Sequence, residues 1–145
     1  MDPVKKGRVL IYPNQEHRTL ARDEAMRLPH DSVEYRSMIR WFDDVYTVDP
    51  EWSPESHLNH SFEPNGLWHL GFIFALEDLP PGSELTIDYR LILDPEDEAG
   101  FLDACTGGQI VGLPWEEKMA TTSAALVDLF TQHRSPTPMN VNPMK

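Results

Sequence analysis

Hydrophobic positions along this chain come in short runs, and Pro or Gly closes most of them. Gly7-Arg8-Val9-Leu10-Ile11-Tyr12 reads as a short strand stopped by Pro13-Asn14. Met38 to Phe42 and Val45 to Val48 flank Asp43-Asp44, a pattern that predicts a tight hairpin. Leu67 to Leu70 and Gly71 to Leu76 also read as strand, and Pro80-Pro81-Gly82 forces a turn. Glu84-Leu85-Thr86-Ile87-Asp88-Tyr89 then opens with the alternation of a half-buried strand. Two segments read as helix. Thr19 to Leu28 predicts a short one, with Thr19 as cap, Asp23 and Glu24 in the first turns, and Pro29 as the stop. Trp115, Met119, Leu126, Leu129 and Phe130 fall near helical spacing behind Pro114. They predict a C-terminal amphipathic helix that ends near His133 and packs on the sheet. Asp49 to Asn65, crowded with polar residues and Pro, is a long loop of the kind that is usually functional or mobile. Asp94 to Glu98 reads as an acidic linker, and Phe101 to Gly112 as a Gly-punctuated stretch. The fold class expected is mainly β with a few short helices.

Composition narrows the setting. A chain of 145 residues suits one domain. Its 12 basic and 24 acidic side chains give a net charge of −12, with no Lys/Arg cluster to release counterions. Direct nucleic-acid binding is therefore not expected. The favoured partner by sign of charge is a basic, Lys-containing protein or peptide, although the same charge serves solubility alone. The longest apolar run, Leu70 to Leu76, falls far short of the roughly 20 residues a bilayer span needs, so no membrane is expected. Met1 to Lys6 lacks the apolar stretch of a signal peptide. The single Cys105 excludes an internal disulfide and any Cys-rich zinc site. The expected compartment is the cytoplasm, with the nucleus left open.

Most familiar chemistries lack their residues. His57, His60 and His69 invite a metal reading, but they have no Cys partners and form no His-Glu-x-x-His, so no metal is expected. There is no Gly-x-Ser-x-Gly elbow, no Walker loop and no Gly-x-Gly-x-x-Gly. Cys105 reads as a buried or incidental thiol. One combination stands apart. Asn59-His60-Ser61-Phe62-Glu63-Pro64-Asn65 is followed by Ile73-Phe74-Ala75-Leu76-Glu77-Asp78-Leu79 and then by Pro81-Gly82-Ser83-Glu84-Leu85-Thr86-Ile87-Asp88-Tyr89. Together, in this order, they resemble the signature half of the SET-domain family of protein lysine methyltransferases. Each piece alone is an ordinary turn or strand; the joint occurrence carries the resemblance.

The resemblance implies small sheets around a knot-like core, and an S-adenosylmethionine-dependent protein lysine N-methyltransferase. It assigns Tyr89 as the active-site tyrosine, Asn59 and His60 as the cofactor-binding pair, and Ile87 as a wall of the substrate channel. Asp88 is expected to be structural. Free lysine, with a pKa of roughly 10.4, must lose its proton before it can accept a methyl group. An apolar channel beside a sulfonium assists that loss. The implied layout is a SET-like domain over 1–133, with its signature half at 38–93, an appendage with a helix at 94–133, and a disordered tail at 134–145. Three departures bear on activity. Gly7 stands alone where the family has a Gly-x-Gly turn, so a lobe of roughly 30 residues is expected to be missing at the front and the cofactor groove to be open. No zinc-binding Cys cluster follows Tyr89. Phe62 and Ile87 replace the Cys and the aromatic residue frequent at those places. The alternative is a non-catalytic or truncated SET-like module that binds a basic protein.

Overall fold

The computed structural model describes residues 2–12, 18–42, 44–51, 54–95 and 97–131. The expected tail at 134–145 and the stop at Pro13-Asn14 lie outside the described residues. Among those described, the strands form four small sheets. The first has β4 (Val45–Val48) at its centre, between β2 (Arg18–Ala21) and β3 (Met38–Phe42). A central strand is covered on both edges, and Tyr46, Thr47 and Val48 are buried accordingly. Leu20, Ala25, Tyr46 and Val48 form one core cluster.

The second sheet orders β1 (Val9–Ile11), β7 (Phe72–Ala75) and β6 (Gly66–His69). Leu70 and Gly71 join β6 to β7, both at positive φ (48° and 81°), as a two-residue turn matched to strand twist requires. Trp68 pairs with Ile73, and both fall into the main core with Leu58, Ile87 and Leu91. Gly66 permits a close approach: a Cβ there would lie 3.0 Å from both Ile73 Cγ2 and the Thr86 carbonyl oxygen. That space is what lets β8 (Thr86–Ile87) lie against β6. β8 pairs in parallel with β5 (Asn59–His60), which brings the two ends of the signature half side by side. The fourth sheet is the hairpin of β9 (Glu98–Leu102) and β10 (Gln109–Val111). This mainly β arrangement with its C-terminal helix is the fold class read from the sequence.

Three local expectations need correction. Arg18 to Ala21 is strand, because Leu20 pairs with Tyr46 on β4 and is buried there. The helix expected over Thr19 to Leu28 shrinks to α1 (Arg22–Ala25), whose Glu24 carboxylate accepts the Ala21 N–H at 3.2 Å. A second single turn, α2 (Val33–Arg36), is capped by Ser32. α3 (Trp115–Thr131) packs Trp115, Met119 and Leu129 inward as the apolar stripe predicts, but it buries polar residues beside them. Its buried residues are Lys118, Thr122 and Leu129, while Phe130 is half exposed. Thr122 satisfies itself by donating to the Lys118 carbonyl at 2.8 Å and meeting His69 Nδ1 at 2.8 Å.

The third correction matters most. Asp94, expected at the head of an acidic linker, is buried at 5% exposure. Its Oδ1 lies 3.1 Å from Arg40 Nε, and both side chains are almost wholly enclosed. Its Oδ2 accepts the Tyr46 hydroxyl and lies 3.6 Å from Arg22 Nε. Burial and the neighbouring carboxylate hold the Tyr46 phenol well above its ordinary value, so it remains a donor. The adjoining Leu93 carbonyl accepts the Lys118 ammonium, and Arg40 Nη1 lies 3.4 Å from the same oxygen. Gly112 closes over this segment; a Cβ there would fall 1.9 Å from the Asp94 carbonyl oxygen. No described helix is long and apolar enough to cross a membrane.

Two measurements follow from this cluster. Asp94→Asn removes the charge opposite a buried guanidinium, and urea unfolding should show a loss of about 3–5 kcal/mol. Burial and the Arg40 charge lower the Lys118 ammonium from 10.5 to about 8. The unfolded chain therefore binds more protons between those two values, so the stability this group contributes rises with pH across that window. The stability of the parent relative to Lys118→Met should climb between pH 8 and 10.5, and a flat difference would contradict the assignment.

Candidate functional site

The site begins where β8 ends. The Asp88 carboxylate accepts the Arg90 N–H at 3.0 Å and grips the Arg90 guanidinium, with its shortest contact at 2.6 Å. This cap converts strand into a single 3-10 turn, Tyr89–Leu91, so the expected strand reaches only Ile87. The turn directs Tyr89 back at β5. Its hydroxyl donates to the Leu58 carbonyl, and its N–H donates to His60 Nδ1 at 3.0 Å. Burial pushes the Tyr89 phenol up, so at neutral pH it is a hydrogen-bond donor with outward lone pairs and not a base.

Asn59 and His60 point in opposite directions. The Asn59 side chain is exposed; its Nδ2 donates to Glu84 Oε1 at 2.5 Å, and its Oδ1 accepts no hydrogen bond among the described residues. The ladder to β8 uses the N–H groups of Asn59 (3.3 Å to Leu85) and Ser61 (3.0 Å to Ile87). Alternation along a strand then turns the His60 peptide away from β8. The His60 imidazole, 2% exposed, is packed inward. Phe62 meets it edge-on at 4.7 Å, and Asp103 Oδ1 lies 3.8 Å from its Nε2, which has no hydrogen-bond partner among the described residues. Because Nδ1 accepts from Tyr89, the neutral ring carries its proton on Nε2, toward Asp103.

A cleft of about 210 Å³ reaches Tyr89 from the β3 side. Met38, Ile39, Ile87 and Ile92 make its apolar lining, with Ser56, Ser37 and Arg36 beside them. Ser56 Oγ is buried there without a hydrogen-bond partner among the described residues. Ile87 is 3% exposed and belongs to the main core as well as to this wall. Thus Tyr89, Ile87 and the Asn59–His60 strand converge within one unit of structure. His57 is exposed and His69 is engaged by Thr122, so the three histidines lie in separate surroundings. Among the described residues no group of three or more His, Cys, Asp or Glu side chains is placed to hold a metal.

The front of the chain takes another route. Val4 pairs with Leu79, Lys5 Nζ meets Asp78 at 2.7 Å, and the Gly7 N–H donates to the Ala75 carbonyl at 2.8 Å. Gly7, at φ 80°, is set against the Phe130 ring. These contacts run along residues 75–79, and the Asn59 side chain faces solvent.

Sequence reasoning missed Leu58, which acts through a carbonyl that any residue carries. It also missed Asp103, although Asp103-Ala104-Cys105-Thr106-Gly107 has the signature of a side-chain-capped turn. Glu84 stood inside the quoted motif, but its contact with Asn59 joins residues 25 apart. Cys105 is exposed, so of the two readings, a buried or an incidental thiol, the buried one does not hold.

The cofactor that the motif implies can be tested against these residues. The unengaged Asn59 Oδ1 beside the Glu84 carboxylate is an acceptor set suited to an ammonium, and the outward His60 peptide offers a donor and an acceptor. The fit is adequate. No curated protein matches the chain. The model of the SET domain family matches residues 1–90, which covers Asn59, His60, Ile87 and Tyr89. That family consists generally of protein lysine methyltransferases, and this chain belongs to the SET-domain family.

Proposed function

We propose that the protein is an S-adenosylmethionine-dependent protein lysine N-methyltransferase acting on a basic protein or peptide. The observation that carries this reading is the Tyr89 hydroxyl, held on the Leu58 carbonyl at the end of an apolar cleft, one residue before Asn59. S-adenosylmethionine, when bound, supplies an electrophilic methyl group on a sulfonium. Asn59 Oδ1, with Glu84 alongside, would hold its ammonium, and the His60 peptide would meet its base.

The chain's own residues do the remainder. Met38, Ile39, Ile87 and Ile92 strip water from an entering lysine side chain, and desolvation disfavours its charged form. A neutral amine with a free lone pair is the nucleophile the reaction needs. Tyr89, its proton committed to Leu58, presents oxygen lone pairs to the amine and orients it. As the amine gains positive charge, the Tyr89 oxygen and the Leu58 carbonyl stabilise it without having to reorganise. The net charge of −12 favours encounter with a Lys-rich partner.

A second reading, a SET-like module that binds a basic partner without turnover, draws on the exposed side of Asn59. Water reaching that side weakens the electrostatic terms on which methyl transfer depends. Calorimetric titration with S-adenosylmethionine separates the two readings, since the module alone requires no affinity for it.

Tyr89→Phe keeps the ring and removes the hydroxyl. With histone-like basic proteins as acceptors, the rate of methyl transfer should fall by a factor on the order of 10² or more while the cofactor still binds. A variant as active as the parent would remove Tyr89 from the mechanism. Asn59→Ala should weaken S-adenosylmethionine binding by about 1–3 kcal/mol in the same calorimeter. Unchanged affinity, with the circular dichroism spectrum intact, would place the cofactor elsewhere.

A further inference from the structure

The family match ends at residue 90, yet the groups that hold Tyr89 do not. Asp103 lies in the turn between β9 and β10 and is only 4% exposed. Its Oδ2 accepts both the Thr106 N–H and the Thr106 hydroxyl at 2.7 Å, which fixes the carboxylate and holds it ionised. Its N–H donates to the Gly108 carbonyl, and its own carbonyl accepts the Gly107 N–H, so the turn is tied at both ends. Oδ1 then faces His60 Nε2 at 3.8 Å, with both side chains 2% exposed. That separation is too long for a hydrogen bond and short enough for strong electrostatic orientation in a dry site. His60 is in turn the acceptor for the Tyr89 N–H. Two contacts reinforce the same path. Phe101 on β9 meets the Tyr89 ring edge-on at 6.1 Å, and Gly108 passes so near Phe62 that a Cβ would lie 3.1 Å from that ring.

A buried, fixed carboxylate that faces an imidazole nitrogen orients the ring electrostatically and so fixes the nitrogen on its other side. We infer that Asp103 is a positioning residue for Tyr89, acting through His60, and that the β9–β10 hairpin is thereby part of the active site. This rests on the proposed activity of Tyr89, but the tie itself can be read without turnover.

The test is Asp103→Asn in the full chain. The carboxamide oxygen can still accept from Thr106, so the turn is retained while the charge facing His60 is lost. Amide hydrogen exchange at Tyr89 should accelerate about tenfold, the scale of one hydrogen bond's net contribution, while Thr47 on β4 is unchanged. The turnover number should fall about tenfold, with the dissociation constant for S-adenosylmethionine within about twofold of the parent. Thr106→Val, which loosens the carboxylate but keeps its charge, should move both quantities in the same direction by less, and it decides the matter if Asp103→Asn does not fold. Unchanged exchange at Tyr89 in a folded variant overturns the inference. So does faster exchange at Thr47 and Tyr89 alike, which would signify a merely structural role. Faster exchange at Tyr89 alone, in a protein whose parent transfers no methyl group, supports the tie and overturns the proposed activity instead.

Discussion

A buried carboxylate, Asp94, sets the terms for the rest of the molecule. It faces Arg40 from β3 and Tyr46 from β4, with Arg22 of α1 at its margin. The preceding carbonyl, Leu93, receives Lys118 from α3. A charge in so enclosed a place is tolerable only when its partners arrive together, because one missing partner strands another. The arrangement thus demands that the first sheet and the C-terminal helix dock in one register. It also reaches the site directly. Leu93 and Ile92 donate their N–H groups to the Tyr89 carbonyl, so the turn that carries the tyrosine is fixed from behind by the same segment.

From the other side, Tyr89 is fixed by β5. Its hydroxyl and its N–H are both engaged by the segment Leu58 to His60, which parallel pairing with β8 holds in place. One side chain is therefore restrained through its ring, its phenol and its backbone by three separate stretches of chain. Such redundancy suits the proposed methyl transfer, a reaction dominated by alignment in which small displacements of the reacting groups are expensive. The parts that are exposed, Asn59 and Glu84, are those that would meet a soluble ligand. The rigid and the open parts of the site are contributed by adjacent residues of the same strand.

What was legible in the sequence follows a physical division. The β3–β4 and β6–β7 hairpins were readable because β-branched and aromatic runs broken by turn residues report local conformation. The motif from Asn59 to Tyr89 was readable because its polar residues are contiguous and ordered. Apart from the local Asp88 cap that shortens β8, the main failures were cases of distant pairing. Arg18 to Ala21 had helical composition nearby but became strand through β4, 54 positions would have to be bridged to see the Arg40–Asp94 pair, and Lys118 was buried only because Leu93 waits for it. Opposite charges that meet inside, as Arg40 and Asp94 do, leave no local mark in the sequence. Likewise no local signal marks Asp103 as the neighbour of His60.

Cys105 is the chain's one thiol, and it stands exposed two residues past Asp103. A maleimide dye or spin label will therefore attach at a single defined place, on the turn whose carboxylate faces His60. Trp68, 3% exposed in the main core, and Trp115, packed against that core, are two of the four tryptophans that serve as intrinsic optical donors to such a label. Energy transfer between core tryptophan and labelled turn makes the seating of the hairpin observable in real time, with every residue of the site left native.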